Sequence, residues 1–134
     1  MAGVEHIRGR IWNRPRRLQC LDFSALRWGN ITPTDLDLAL DFNHGEYFVF
    51  GEFKLGATQL PSGQREHIES LCEAIAKPAV AFIAEHWDIS PGDDIRAHEC
   101  MVREVWWCNR WQAPQWGGTV GEFIDFMRDF WGIT

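Results

Sequence analysis

Residues 36–55 carry the pattern that most narrows the fold. Leu36, Leu38, Leu40 and Phe42 alternate with Asp37, Ala39 and Asp41, the two-residue period of a β-strand. Asn43-His44-Gly45 then interrupts the alternation with residues that tolerate the positive φ of a hairpin turn. Residues 47–55, rich in aromatic and β-branched side chains, predict the returning strand. Along it Phe48 and Phe50 share a face with Glu52 and Lys54, while Tyr47, Val49 and Phe53 take the other. Both faces read as covered, and a charge on a covered face needs a partner or a ligand.

Around this hairpin the pattern is mixed. Residues 14–28 predict a helix, with Pro15 in its first turn, Leu18, Leu21, Ala25 and Trp28 near one face, and Gly29 as the stop. Ser62 suits an N-cap for a helix over 64–77, where Ile68, Leu71, Cys72, Ile75 and Ala76 recur at helical spacing until Pro78. The apolar run 79–84 predicts a strand buried on both faces. A turn at 90–93, a strand over 99–107 and a loop over 109–118 follow. Thr119 and Glu122 form a capping box for a last helix on which Phe123, Phe126, Met127, Phe130 and Trp131 mark the apolar face. The order predicts an α/β fold: a mixed sheet of about four strands flanked by helices, in a single domain spanning 1–134.

Composition bounds the class. A chain of 134 residues with 46% hydrophobic and 24% charged residues suits one globular core. No apolar stretch approaches the roughly 20 residues that span a bilayer, and residues 1–17 have no apolar signal region. A cytoplasmic protein without a membrane partner is expected. Cys20, Cys72, Cys100 and Cys108 form no CxxC pair, and Cys72 reads as a buried thiol. His98, Cys100 and Cys108 lack the spacing of a zinc finger, so reduced structural thiols are the preferred reading.

The chemistry concentrates in the hairpin. Glu52 and Lys54 lie two apart on one strand, and Asp35 and Asp37 lie two apart at the start of the other. Strand pairing brings Asp37 and the Glu52/Lys54 pair to one side, an oxygen-rich site suited to Mg²⁺ or Mn²⁺ beside an ammonium that orients water and stabilises phosphate charge. Glu-x-Lys alone says little; its place late in a covered strand gives it weight.

Glu52-Phe53-Lys54, preceded by Pro33-Thr34-Asp35-Leu36-Asp37, resembles the PD-(D/E)xK nuclease superfamily, in particular the short phage and bacterial members related to Holliday-junction resolvases and RecB-type nuclease domains. The second half of the motif matches without alteration and the first half loosely. The likeness covers about residues 14–90, and one short strand of the family core has a counterpart only if residues 30–33 supply it. The resemblance implies a restriction-endonuclease-like fold and a Mg²⁺-dependent deoxyribonuclease, endo- or exonucleolytic, acting by in-line attack of a metal-bound water. It implies that Asp37 and Glu52, with the Phe53 carbonyl, ligate the metal, with Asp35 as alternative ligand or supporting acid. Lys54 then positions the water, and Gln64 assists it or holds the phosphate. Asp22 is the one acid in the first predicted helix that could complete such a site.

Partners follow from charge and aromatic content. The net charge is −6, yet residues 1–30 hold six arginines against Glu5 and Asp22. Arg8, Arg10, Arg14, Arg16 and Arg17 read either as a DNA-contacting arm or as a solvated helix. Trp106, Trp107, Trp111 and Trp116 fit a core or subunit contact better than base stacking. His44 reads as a turn residue, and His6, His67, His86 and His98 show no ligand spacing. DNA is the expected partner, with a homodimer or larger nucleoprotein complex compatible with so small a domain. The alternative reading is a non-catalytic nuclease-fold module that binds nucleic acid or protein. A third, an assembly protein with an aromatic interface, accounts for the tryptophans but not for the acids.

Overall fold

A computed structural model of the chain describes residues 5–7, 10–12, 24–31, 36–87, 94–114 and 118–133. The chain divides into two compact units, Met1–Pro33 and Thr34–Thr134. In the first, β1 (Glu5–Ile7) pairs antiparallel with β2 (Arg10–Trp12), a ribbon the sequence pattern did not suggest. Trp28 and Ile31 exchange backbone hydrogen bonds of 2.9 and 3.0 Å across Gly29 and Asn30. The helix expected over 14–28 is therefore not helical from 24 onward, because Trp28 bonds forward across a turn instead of to a carbonyl one turn back. Its first part, 14–23, lies outside the described residues.

The second unit is an α/β fold built on a five-stranded mixed sheet in the order β3-β4-β5-β6-β7, with two helices. The expected hairpin is β3 (Leu38–Phe42) and β4 (Tyr47–Leu55), antiparallel with Phe42 opposite Tyr47. Its four-residue turn holds Asn43, His44 and Gly45 at positive φ, and the Asp41 carboxylate accepts the Gly45 N–H. From β4 the chain crosses through α1 (Ser62–Ala74) into β5 (Ala79–His86), which runs parallel to β4. A parallel return needs such a crossover. Then β6 (Met101–Trp107) and β7 (Arg110–Gln112) complete the sheet antiparallel, and α2 (Val120–Trp131) closes the unit.

The alternation of β4 and β5 sorts the core into two layers. Val49, Val80, Phe82 and Ala84 pack with Val120, Phe123 and Met127 of α2. Phe50, Ala81 and Ile83 pack with Ile68 and Cys72 of α1, joined by Leu60 and Trp106. The helices thus cover opposite faces, and each fully buried large aliphatic or aromatic side chain contributes roughly 1.5–3 kcal/mol of hydrophobic stabilisation. Gly51 is required by close approach: a Cβ there would lie 2.2 Å from Phe82 Cζ, so the Phe82 ring lies directly over the strand.

Several boundaries differ from expectation. Pro61, not Ser62, is the N-cap of α1, and no side chain caps that end. The helix stops at Ala74, where Ile75 turns extended, three residues before Lys77. Pro78 biases the residue before it against helix, which leaves 75–78 to carry the chain to β5. The strand expected over 99–107 begins at Met101, after a 3-10 turn at Ala97–Glu99. Within the expected loop over 109–118 the fifth strand, β7, appears because Cys108 and Asn109 both adopt positive φ, at 53° and 62°. That conformation makes a two-residue hairpin turn, and cysteine is an unusual residue for it. The turn expected at 90–93 lies outside the described residues. Both bonds of the Thr119–Glu122 capping box are present, and Gly132, at φ 71°, ends α2 in the left-handed conformation.

Candidate functional site

The hairpin register decides where the expected site residues meet. The β3–β4 pairing ends at Leu38 opposite Gly51, and Leu36 packs on the α1 side while Leu38 packs on the α2 side, so Asp37 sits where the alternation breaks, one residue before β3. Asp37, expected at the start of the strand, lies in the bend that leads into it. Its Oδ2 accepts the Phe53 backbone N–H at 2.9 Å, which ties the bend to β4. A strand residue presents its N–H and C=O to the same neighbour. The Phe53 carbonyl therefore opens on the Asp37 edge, beyond the first residue of β3.

Glu52 and Lys54 continue the Phe50 face, toward α1. Glu52 is 2% exposed, the single buried charged side chain among the described residues, and is engaged by a neighbouring group. Lys54 is half-buried. Gln64, on the first turn of α1, covers the same face, and its Oε1 is buried without a hydrogen-bond partner among the described residues. Asp35 and Asp22 lie outside the described residues, as do Arg8, Arg14, Arg16 and Arg17, while Arg10 falls in β2.

The sheet adds charged residues that the motif did not flag. In the β4–β5 register Lys54 pairs with Glu85 and Glu52 with Ile83, and Ile83 in turn pairs with Glu104 of β6. Glu104 receives both terminal nitrogens of Arg65, at 3.2 and 2.9 Å. Arg65 also stacks 4.8 Å from the centroid of Trp111, whose indole N–H donates to Glu69 at 2.8 Å. Arg103 lies 3.7 Å from Glu85 and donates to the carbonyls of Gly56 and Thr58 at 2.9 and 2.8 Å. It is the extra residue of a bulge opposite Ile83/Ala84, which breaks the alternation of β6 and hid the facing of Glu104 in the sequence. Trp106 is core, 7% exposed, and its ring lies 5.5 Å from that of Trp111. Trp107 packs edge-on against Phe130 at 5.1 Å, while Trp116 lies outside the described residues.

Among the described residues the cysteines are free thiols, Cys72 and Cys100 buried and Cys108 exposed, while Cys20 lies outside them. Burial, followed by the charge of Glu73, pushes the Cys72 thiol up to about 12. Burial, followed by Glu99, also raises Cys100. Cys100 and Cys108 flank opposite ends of β6, roughly 25 Å apart at strand rise, too far to share an ion.

No protein-family model, curated protein or solved structure matches the chain. No helix among the described residues is long and apolar enough to cross a membrane.

Proposed function

We propose that the chain is a metal-dependent deoxyribonuclease of the PD-(D/E)xK type on a restriction-endonuclease-like core. One observation carries the reading: the Asp37 carboxylate accepts the Phe53 amide, which ties it to β4 at the residue between Glu52 and Lys54, the two charged residues that share one face. The resemblance implies a core of helix, strand, strand, strand, helix, strand, and the β3–β4 hairpin followed by a helical crossover to a parallel strand supports its later part.

The donor set fits a hard cation of modest demand. Among the described residues no three acid, histidine or cysteine side chains gather into a ready cluster. Mg²⁺ commonly binds through one or two carboxylates and keeps several waters. Asp37 Oδ1, Glu52 and the Phe53 carbonyl would hold it. When bound it would polarise the phosphate and lower the pKa of a nucleophilic water. The chain's own groups do the rest. The Lys54 ammonium orients the attacking water and offsets charge developing at phosphorus. Gln64 Oε1 is a buried acceptor with no donor partner among the described residues, suited to a water brought in with the substrate. Covering by α1 keeps this face in low dielectric, where each charge acts more strongly.

Ion pairs occupy Arg65 and Arg103 with Glu104 and Glu85, and the body of the chain is acidic. That balance favours the non-catalytic module, so the test must separate the two. Single-stranded, duplex and branched DNA are incubated with the full chain in Mg²⁺, Mn²⁺ or EDTA. Cleavage that needs metal and falls about a hundredfold or more in both Lys54→Ala and Glu52→Ala supports the enzyme. DNA binding without cleavage by the parent, unchanged in both variants, supports the module.

A further inference from the structure

We propose that the cavity at the end of β5 receives a single unstacked nucleobase next to the phosphate held at Lys54, an inference that rests on the nuclease reading. The cavity measures about 410 Å³ and is walled on its apolar side by Trp87, Ile95 and Met101. That volume lies within the range of small-molecule sites. Trp87 is 64% exposed, so a large part of the indole is open to a ligand. A Cβ built on Gly56 would lie 3.7 Å from Trp87 Cζ3, so the ring sits along the backbone just past the end of β4. Such a ring offers a stacking surface to any base.

The polar side of the cavity selects what can enter. Glu85, Asp94 and Glu99 line it, together with Arg96. Arg96 already lies 4.0 Å from Glu99, and Arg103 lies 3.7 Å from Glu85. With acids in excess over cations, the cavity repels a phosphate but accepts hydrogen bonds from amino and ring N–H groups of a base. His86 also lines it, with an Nδ1 that is buried and has no partner among the described residues.

Its position links the cavity to the proposed chemistry. Glu85 pairs with Lys54 in the β4–β5 register, one strand spacing of about 4.8 Å away. Cys100, which lines the cavity, packs on the α2 side, so a nucleotide with its phosphate at Lys54 would place its base there by passing round the end of β4 and β5, with the base out of the helical stack. The substrate this arrangement fits is single-stranded DNA or a duplex with an extruded nucleotide, since an extruded base is read by stacking and edge hydrogen bonds.

The test uses the full chain in EDTA with single-stranded oligonucleotides carrying one 2-aminopurine, moved stepwise along the strand. At one position the fluorescence is quenched by the parent and by Trp87→Phe, but not by Trp87→Ala. Affinity for that strand falls about tenfold to a hundredfold in Trp87→Ala, the range expected for one lost base stack. Quenching at no position, or quenching equal in Trp87→Ala, overturns the base site. Metal-dependent cleavage by the parent is read separately. Its absence beside Trp87-dependent quenching removes the nuclease reading and leaves the base site standing. Cleavage without such quenching does the reverse.

Discussion

Two residues of the α1-side layer bring opposite requirements to one apolar face. Glu52 holds a carboxyl among Phe50, Ile83 and the α1 residues, where an ionised acid costs several kcal/mol unless its surroundings compensate. Cys72, on α1, keeps its proton there because burial and Glu73 raise its thiol to about 12 from an ordinary 9.0. A thiol raised in the folded state stabilises the fold fully below the unfolded value. That contribution is lost as pH rises from about 9 through 12. Urea midpoints measured from pH 8 to 12 should therefore fall less steeply in Cys72→Ala than in the parent, whatever offset the smaller side chain adds. Equal slopes would show that the thiol does not couple to folding.

At the scale of elements, the α2 N-terminus gives the cleanest prediction. Thr119 Oγ1 accepts the Glu122 N–H at 3.1 Å, and Glu122 accepts the Thr119 N–H at 3.2 Å. Thr119→Ala removes the first bond and should lower stability by about 1 kcal/mol in chemical denaturation. The same box was legible in the sequence because its signal is local: two residue types at one spacing. The β3–β4 hairpin was legible for the same reason, since its strands alternate and its turn residues accept positive φ. Elements that depend on distant partners were not. At the bulge the Arg103 guanidinium reaches the carbonyls of Gly56 and Thr58, about 45 residues earlier in the chain. β7 was hidden behind Cys108, a residue seldom found in the turn it makes. Of the site, Glu52 and Lys54 followed from parity, whereas Glu85 and Glu104 join their face through strand pairings that local periodicity does not carry.

For the whole molecule, the layering of the second unit matters more than any one contact. Placing α1 and α2 on opposite faces lets β4 be covered on both sides while its end, from Glu52 to Leu55, reaches past the first residue of β3. That overhang carries Glu52, Lys54 and the Phe53 amide that Asp37 accepts, and Trp87 lies beside the same strand end. If Asp37 and Glu52 serve one ion, calorimetric titration of Mn²⁺ into the parent, Asp37→Asn, Glu52→Gln and the double variant will show it. Each single change should weaken Mn²⁺ at least about tenfold, and the double change should cost clearly less than the two combined, because both carboxylates act on one site. No Mn²⁺ binding by the parent, or two changes that add independently, would contradict it.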